Sequence, residues 1–571
     1  MITKSEIDSI DDFVIPEPRD ELSELGIWTQ LRSLQPSLMS DTLSLHNYLS
    51  RVNLEIGSLS QLIQALENRV LEAQSKRDKL QWRASQILSL LSPIRRLPSE
   101  LLMKIFECAT GAAWMGGNML GANSEWNSQA FRISSVCYQW RAIALDTPEL
   151  WSRFAFDFKS RAQRPLDLFL MRSKQRPLSF TITHIDHHIS PDLSPLRSLV
   201  AYSSRWSSVD YYCPRAQPVQ TLLNKVEELS SLQHAVCPAQ GVAPVTLSKQ
   251  LQNCSTLRTL VVRYDEHSRA NIPSLPLSSI RRLIFEYKPK KAFGHSLEVL
   301  RTCAQHIEEL AYELIRDEKD HNLVNQAGHA PLDETQEPIE CRHVWKLAID
   351  LYHRNGIYPH LVDLFRSLTL PSLVYLKLAG DCNTNLPFEG TWPRELFDGF
   401  VVRSKCTSLT TLHLRLPLSG KEVIASLRHF SSLEVLSIAE VFTGEEGVLE
   451  RNKLVKTVTK PLMRHLTVVR NSAHSAVPLP LSLPVLPKLR SLSLSVHAHF
   501  DADVEFVRMV QSRWYPFCSG LGDPSLAHCR LRAMFLNIQD RDVERSVYES
   551  LKGYDSKGMR VTVKANGAYI V

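Results

Sequence analysis

The chain has 571 residues, 44% of them hydrophobic, and its 66 Lys and Arg against 60 Asp and Glu give a formal charge of +6. This length is too great for one ordinary hydrophobic core, so we expect several domains or a long repeat array. The basic residues are scattered, which argues against nucleic-acid binding, and no apolar stretch approaches the roughly 20 residues that span a bilayer.

Residues 1–40 are rich in Asp, Glu, Ser and Pro and show little periodicity, which predicts a loose N-terminal tail. Their acidic, polar start is unlike a secretory signal. The eleven cysteines include no CxxC pair, which favours reduced thiols. We therefore expect the protein in the cytoplasm, the nucleus or both.

A heptad pattern predicts one long helix over residues 41–92, ending at Ser92-Pro93 because proline disfavours helix in the residue before it. The d positions are Leu45, Val52, Leu59, Leu66, Ala73, Leu80 and Ile87, and the a positions are Leu49, Ile56, Ile63, Val70, Arg77, Ala84 and Leu91. Branched residues at a with Leu at d favour a parallel two-stranded pairing, so residues 45–91 are a candidate homodimer or partner-helix site. A helix folded back on its own domain explains the pattern equally well.

Residues 93–154 predict a small helical module with more large apolar side chains than so few residues can bury alone. One predicted helix follows Pro98, which fits a first helical turn. A glycine-rich stretch from Gly111 is expected to end it, and a second helical stretch contains Val136 and Trp140. Such a module is either an interface or a hairpin packed into a larger core, and physical reasoning alone leaves both open.

Fixed residues in this module resemble the F-box motif. They are Leu97, Pro98, Glu100, Leu101, Leu102, Ile105 and Phe106, then Val136, Cys137, Trp140 and Arg141, then Leu150 and Trp151. The flanking SPIRRLP and ALDTPELW segments are similar to the large F-box families of mushroom-forming fungi.

The resemblance implies a three-helix module that binds the Skp adaptor, and through it the cullin, of an SCF-type ubiquitin ligase. Carried over by position, the implied Skp-adaptor contacts are Leu97, Pro98, Leu102, Ile105, Phe106, Val136 and Trp140. Trp151 is expected to pack the module onto the next part of the chain. The insert Gly111–Asn127 is longer than the usual turn of the family, which leaves the contacts in that region undefined.

An L-x-x-L-x-L pattern recurs after the module, most clearly from Leu257, Leu373, Leu409, Leu433 and Leu489. Weaker copies start at Ile280, Ile307 and Val344. The shorter spacings match leucine-rich repeats, so residues 155–571 are predicted to form a solenoid with a parallel sheet and insertions near 317–340 and 441–480. Unrelated βα units of a doubly wound domain are the alternative. The whole chain is thus predicted to be mixed α and α/β.

Alternate strand residues face opposite sides of a sheet, so inward leucines leave a polar concave face as a candidate target-binding surface. Its candidate contact residues are Arg263, Arg282, Glu286, Tyr375, Lys377, His413 and Arg415, and we also place Val261 and Ile284 on it. Asp503–Trp514 is predicted to be an amphipathic helix. The C-terminal GMRVTVKANGAYIV is predicted to cap the array as a strand or hairpin.

The sequence offers no catalytic motif, and we expect a non-enzymatic protein without cofactor or metal. Cys254, Cys341 and Cys406 recur three residues before repeat starts, but buried structural thiols explain them better than metal ligands. The histidines of THIDHH, His184, His187 and His188, lack partners at ligand spacing. The leading hypothesis is an SCF substrate adaptor with an unknown target protein; a coiled-coil scaffold without a ligase role is the alternative.

Overall fold

The structure is a computed structural model. It describes residues 39–115, 129–157, 163–183, 194–212, 229–238, 254–264, 278–287, 294–314, 337–352, 358–381, 392–441, 456–468, 485–514 and 531–571, with the isolated residues 32, 226 and 251. The chain divides into two compact units, Met1–Ser99 and Glu100–Val571.

A single helix, α1 (Met39–Leu91), forms most of the described part of the first unit. It confirms the predicted helix over 41–92, and it stops just before the short 3-10 turn Pro93–Arg96. Most apolar residues of the heptad seam are exposed along its length. The structure describes one copy of the chain, so it leaves the predicted pairing untested.

Three helices open the second unit: α2 (Ser99–Met115), α3 (Gln129–Val136) and α4 (Tyr138–Asp146), followed by the 3-10 turn Pro148–Trp151. The helical backbone passes through Gly111, the first glycine of the predicted glycine-rich stretch, and is described as far as Met115, directly before Gly116. A helix interior tolerates an isolated glycine at a cost of about 1 kcal/mol. Residues 116–128, which hold the rest of the insert, lie outside the described residues.

Seventeen strands are described. They are β1 (Arg153–Asp157), β2 (Leu178–Thr183), β3 (Trp206–Tyr212), β4 (His234–Pro238), β5 (Thr259–Tyr264), β6 (Arg282–Tyr287), β7 (Glu309–Leu314), β8 (Ile339–Glu340), β9 (Lys346–Tyr352), β10 (Leu368–Thr369), β11 (Tyr375–Asp381), β12 (Thr411–Arg415), β13 (Val435–Ala439), β14 (Ser491–Val496), β15 (Ala533–Ile538), β16 (Arg560–Ala565) and β17 (Ala568–Tyr569). Every predicted repeat copy coincides with one of them.

Fifteen of these strands form one sheet in which neighbours follow chain order, and all pairs are parallel except the final β16–β17 pair. The small β8–β10 pair forms a separate ladder. In register, Leu260, Leu283, Leu310, Leu347 and Leu376 occupy one row of the sheet and are fully or almost fully buried. The predicted parallel sheet with inward leucines is therefore confirmed, as is the closing hairpin.

One backbone contact recurs at the start of successive strands. The carbonyl of Gln233 accepts hydrogen bonds from the N–H groups of both Arg258 and Thr259, each at 2.9 Å. The same double acceptance joins the carbonyl of Trp345 to the Val374 and Tyr375 N–H groups at the start of β11. These contacts help to fix the register of adjacent strands without using any side chain.

The described chain that connects the strands includes further helices. They are α5 (Gln163–Arg172), α6 (Ser194–Val200), α7 (Gly294–Cys303), α8 (Tyr358–Ser367), α9 (Arg394–Arg403), α10 (Gly420–Leu427), α11 (Lys460–Leu466), α12 (Asp503–Trp514) and α13 (Arg545–Tyr548). The range of α12 confirms the predicted amphipathic helix. Of the two predicted insertions, the structure describes β8 at the end of 317–340 and α11 within 441–480, where Leu462 is buried, and most of the other residues of both spans lie outside the described residues.

The sheet begins earlier than the recognised repeats. Strands β1 to β4 precede the first clear copy, and Phe154 and Phe180 occupy the row that leucines fill elsewhere. The predicted boundary near residue 154 does not separate two bodies, since the helices from Glu100 onward and the sheet form one compact unit. Among the described residues, no helix is both long enough and apolar enough to cross a membrane.

Candidate functional site

Helix α2 presents two apolar stripes with different surroundings. Leu102 and Phe106 are almost completely buried, and one turn later the Thr110 hydroxyl donates to the Phe106 carbonyl at 3.0 Å. One position back in sequence, Leu101 and Ile105 are 52% and 43% exposed. The first stripe therefore holds the module together, and the second is available to a partner.

Helix α4 is held beside α2 by the Trp140 ring, whose centroid lies 4.7 Å from that of Phe106. The Cys137 thiol caps α4 by accepting from the Trp140 N–H at 3.5 Å. On either side of this cap, Val136 and Tyr138 are exposed. The α3–α4 junction thus adds two large side chains to the exposed apolar surface of the module.

Burial divides the seven residues that the resemblance implied as adaptor contacts. Pro98, Ile105 and Val136 are exposed, and Leu97 and Trp140 are half-buried. Leu102 and Phe106 have to be corrected, because their side chains form the interior of the module and are closed to a partner in this conformation. Leu101 and Tyr138 are exposed apolar residues that the implied set omitted.

Trp151 joins the module to the sheet, as the sequence predicted. Its indole N–H donates to the Ala144 carbonyl at 2.7 Å, and the Arg172 guanidinium lies 4.4 Å from its ring centroid. Its ring contacts Phe131 of α3 and Phe169 of α5 at centroid distances of 5.4 and 5.3 Å. Further aromatic contacts continue through Phe154, Phe180 and Trp206 into β1, β2 and β3.

The strand residues opposite the leucine row define a second candidate surface, here called the polar face. Register places all seven predicted target contacts on it. They are Arg263, Arg282, Glu286, Tyr375, Lys377, His413 and Arg415. The sequence pattern therefore identified one contiguous side of the sheet, spread over β5 to β12.

Arg263 is the exception in its accessibility. It is only 8% exposed, and its guanidinium is 2.6 Å from a Glu286 carboxylate oxygen and 3.3 Å from one of Asp210. Burial raises the pKa of Asp210 despite the attraction of Arg263. The prediction of Arg263 as a target contact is therefore corrected, because its side chain is buried and its charge is paired with two carboxylates of the sheet.

A narrow apolar strip runs along part of the polar face. Val236, Val261, Ile284 and Ala311 occupy one row of neighbouring strands, all are buried, and Ala348 packs against them. The prediction that Val261 and Ile284 belong to an accessible mixed surface was wrong. Side chains on this face are close enough to their cross-strand neighbours to enclose small aliphatic groups.

Charged side chains on the polar face pair across the strands. The Lys377 ammonium lies 2.6 Å from an Asp350 carboxylate oxygen, and Glu309 lies between Lys346 and Arg282 at 3.0 and 3.6 Å. Burial, with Lys377 nearby, lowers the pKa of His413. His413 therefore presents a neutral ring near pH 7, and that ring lies 5.3 Å from the ring of Tyr375.

Glu313 is a carboxylate on the polar face whose pKa is raised, whereas an ion pair normally lowers the pKa of a carboxylate. Partial burial, followed by repulsion from Glu286 and Asp350, raises the pKa of Glu313. Register places Glu286, Glu313 and Asp350 side by side on β6, β7 and β9. The centre of the polar face is consequently acidic, and its Arg282 and Lys346 edge is basic.

The described residues contain no cluster of three or more His, Cys, Asp or Glu side chains suited to a metal ion. His184, His187 and His188 lie outside the described residues. The three register cysteines, Cys254, Cys341 and Cys406, are buried free thiols, and burial raises the pKa of Cys341 and of Cys406 to about 12.

The helical module and its exposed apolar side chains have the character of a protein-docking domain. Residues 94–157 match the family model described as F-box-like, so an F-box-like domain occupies this part of the chain. No curated protein matches the sequence. Among solved structures, one match is the crystal structure of a TLR13–ssRNA13 complex, with 13% identity over 72% of this chain and 49% of that chain, at a TM-score of 0.34. The chain thus spans about half the length of that structure, and a likeness this low bears on neither fold nor function.

Proposed function

We propose that the chain is a substrate-recognition adaptor of an SCF-type cullin ubiquitin ligase. Its F-box-like domain docks onto the Skp adaptor and thereby onto the cullin, and its polar face holds a target protein. This chain has no catalytic role of its own in the proposal, and it works in the cytoplasm, the nucleus or both.

The observation that carries this proposal is the F-box-like match at residues 94–157 together with its accessible apolar side chains. Leu101, Ile105, Val136 and Tyr138 are large apolar groups left open by a module whose own core is filled by Leu102 and Phe106. Exposed apolar surface of this kind usually marks a protein interface.

Substitution of one exposed valine tests the docking. Val136→Glu places a charge where the adaptor must exclude water, so we expect roughly a tenfold or greater loss of affinity for the Skp adaptor. Val402→Glu on α9 is the matched control, since Val136 and Val402 are 58% and 67% exposed. Purified full-length variants are titrated with the adaptor by calorimetry. Equal affinities of the two variants, or wild-type binding by Pro98→Ala combined with Ile105→Ala, would refute the docking role.

We further propose that the strands after the F-box-like domain are leucine-rich-like repeats. This proposal is supported by chain-ordered parallel strands, the buried leucine row and the repeated backbone contact between turns. Stacked repeats offer a long row of equivalent side chains on one face, which suits recognition of an extended partner.

The polar face is tested with a matched arginine pair. Arg281 and Arg282 have side chains that are 42% and 48% exposed, and each pairs with a glutamate of the next repeat. Only Arg282 lies on the strand, with its side chain on the polar face. We expect Arg282→Glu, but not Arg281→Glu, to lose proteins that wild type retains in affinity purification with ligase activity blocked. Identical recovery with both variants would contradict target binding on this face.

A second candidate is a scaffold that assembles through α1 and has no ligase role. The observation in its favour is the long exposed apolar seam of α1. Sedimentation of the full-length chain with and without the Skp adaptor separates the two functions. A stable homodimer that ignores the adaptor would favour the scaffold, whereas formation of a stoichiometric adaptor complex favours the ligase role.

A further inference from the structure

Helix α1 exposes an apolar seam along its length. Eight large seam residues are 43–62% exposed along 53 residues of continuous helix. They are Leu49, Ile56, Ile63, Leu66, Val70, Leu80, Ile87 and Leu91. A helix that exposes apolar side chains at successive a and d positions is characteristic of one strand of a coiled coil.

The positions of small and charged seam residues discriminate between possible pairings. In a parallel in-register dimer, each seam residue meets its own copy, so two Arg77 side chains would share one layer. Ala73 and Ala84 would also meet themselves, and each such layer would be underfilled. These three layers oppose the parallel pairing that the branched residues favour.

We propose that α1 pairs with a second copy of itself in antiparallel orientation, with residue i opposite residue 129 − i. This register overlaps nearly the whole helix. It sets Ala73 opposite Ile56 and Ala84 opposite Leu45, so each small residue meets a large one. Ile63 packs on Leu66 near the centre.

In this register Arg77 no longer meets a like charge. It lies opposite Val52, and its long side chain can extend past the seam so that the guanidinium reaches water.

The flanking charges select the same register. In this register Glu55 lies opposite Gln74 of the second copy, two residues from Lys76. The g-position side chains of Glu55 and Lys76 are therefore neighbours beside the seam, and this pair occurs twice by symmetry. Sliding one helix by a heptad in either direction shortens the overlap, and in one of the two directions it also sets Arg69 against Arg69 and Glu67 against Glu67. The register that places residue i opposite residue 129 − i therefore combines a long overlap with opposite charges beside the seam.

Charge exchange between positions 55 and 76 tests the orientation in the full-length chain. Glu55→Lys alone and Lys76→Glu alone each create two like-charge contacts per dimer, so we expect self-association roughly tenfold weaker by analytical ultracentrifugation. An equimolar mixture of the two variants restores opposite charges at both contacts, and a mixed dimer should therefore form preferentially. Lys76→Glu also removes the intrahelical Lys76–Glu72 pair at 2.7 Å. Because this loss is the same for the variant alone and for the mixture, it does not affect the comparison between them.

Disulfide trapping gives an independent measurement. Leu49 lies opposite Leu80 in the proposed dimer, but two Leu49 residues are about 46 Å apart along the axis. Differently tagged Leu49→Cys and Leu80→Cys chains should cross-link to each other, and Leu49→Cys alone should not exceed the wild-type chain with its native cysteines.

Three outcomes would overturn the proposal. Efficient self-cross-linking of Leu49→Cys would establish a parallel dimer. A mixture of charge variants no tighter than either alone would exclude this antiparallel register. A wild-type chain that stays monomeric at tens of micromolar would assign the seam to another helix of this chain or of a different protein. None of these readouts depends on Skp-adaptor binding, so the adaptor function stands or falls separately.

Discussion

Removing the Trp151 side chain should loosen the F-box-like domain and the start of the sheet together. The side chain is fully buried, donates one hydrogen bond, and contacts Phe131, Phe169 and Arg172. A buried Trp→Ala substitution costs roughly 3–5 kcal/mol in unfolding free energy. Trp151→Phe keeps most of the ring contacts but removes the indole hydrogen bond to the Ala144 carbonyl, which still accepts from the Thr147 N–H at 3.4 Å, so the cost is roughly 0.5–1.5 kcal/mol.

Hydrogen exchange of backbone amides measures where that free energy is lost. For Trp151→Ala we expect exchange to rise roughly 10²- to 10⁴-fold in α3, α4, β1 and β2, with a smaller rise in the same segments for Trp151→Phe. Strands β14 to β16 serve as the internal control and should exchange as in wild type. Faster exchange confined to α3 and α4, with β1 and β2 still protected, would refute the idea that the aromatic contacts join the two parts.

The Arg263 ion pairs and the burial of the cysteine thiols lead to two further predictions. Arg263→Met leaves the Asp210 and Glu286 carboxylates without their cation, so it should destabilise the sheet by roughly 3–5 kcal/mol at pH 7 in denaturant unfolding. Since burial already raises the folded-state pKa of Asp210 above its unfolded value, protonation relieves this penalty as the pH falls toward 4; a deficit that grows on acidification would contradict the charge argument. With thiol reagents at pH 8, exposed Cys108 should be labelled rapidly, whereas Cys406, with its pKa raised to about 12, should react only after denaturation, as peptide mapping will show.

The sequence predicted the repeats well where leucine marks the register and poorly where other residues replace it. The eight copies from Leu257 to Leu489 correspond to strands because each carries aliphatic residues at fixed positions. Strands β1 and β2 use Phe154 and Phe180 in the equivalent row, so a leucine pattern could not find them. Phe154 and Phe180 fill the same buried row as the leucines, and only the pairing of neighbouring strands shows that these phenylalanines and the leucines occupy equivalent positions.

The candidate site shows a related limit of sequence reasoning. In α2, adjacent residues such as Ile105 and Phe106 are both apolar, and helical periodicity does not say which one the module covers. On the polar face, Arg263 forms ion pairs with residues 53 and 23 positions away. No local pattern encodes such distant contacts, so a buried structural charge looked like an accessible recognition residue.

The ends of the sheet determine where this chain can gain or lose repeats. At one end, Trp151 and its aromatic neighbours cover the first strands; at the other, β17 runs antiparallel to β16, and Tyr569 lies 4.4 Å from the Lys564 ammonium. A unit added beyond either end would have to displace these covers, whereas a unit duplicated between two parallel strands finds compatible neighbours on both sides. Evolutionary changes in the length of the array should therefore be interior duplications and deletions, which alter the reach of the polar face while leaving both ends intact.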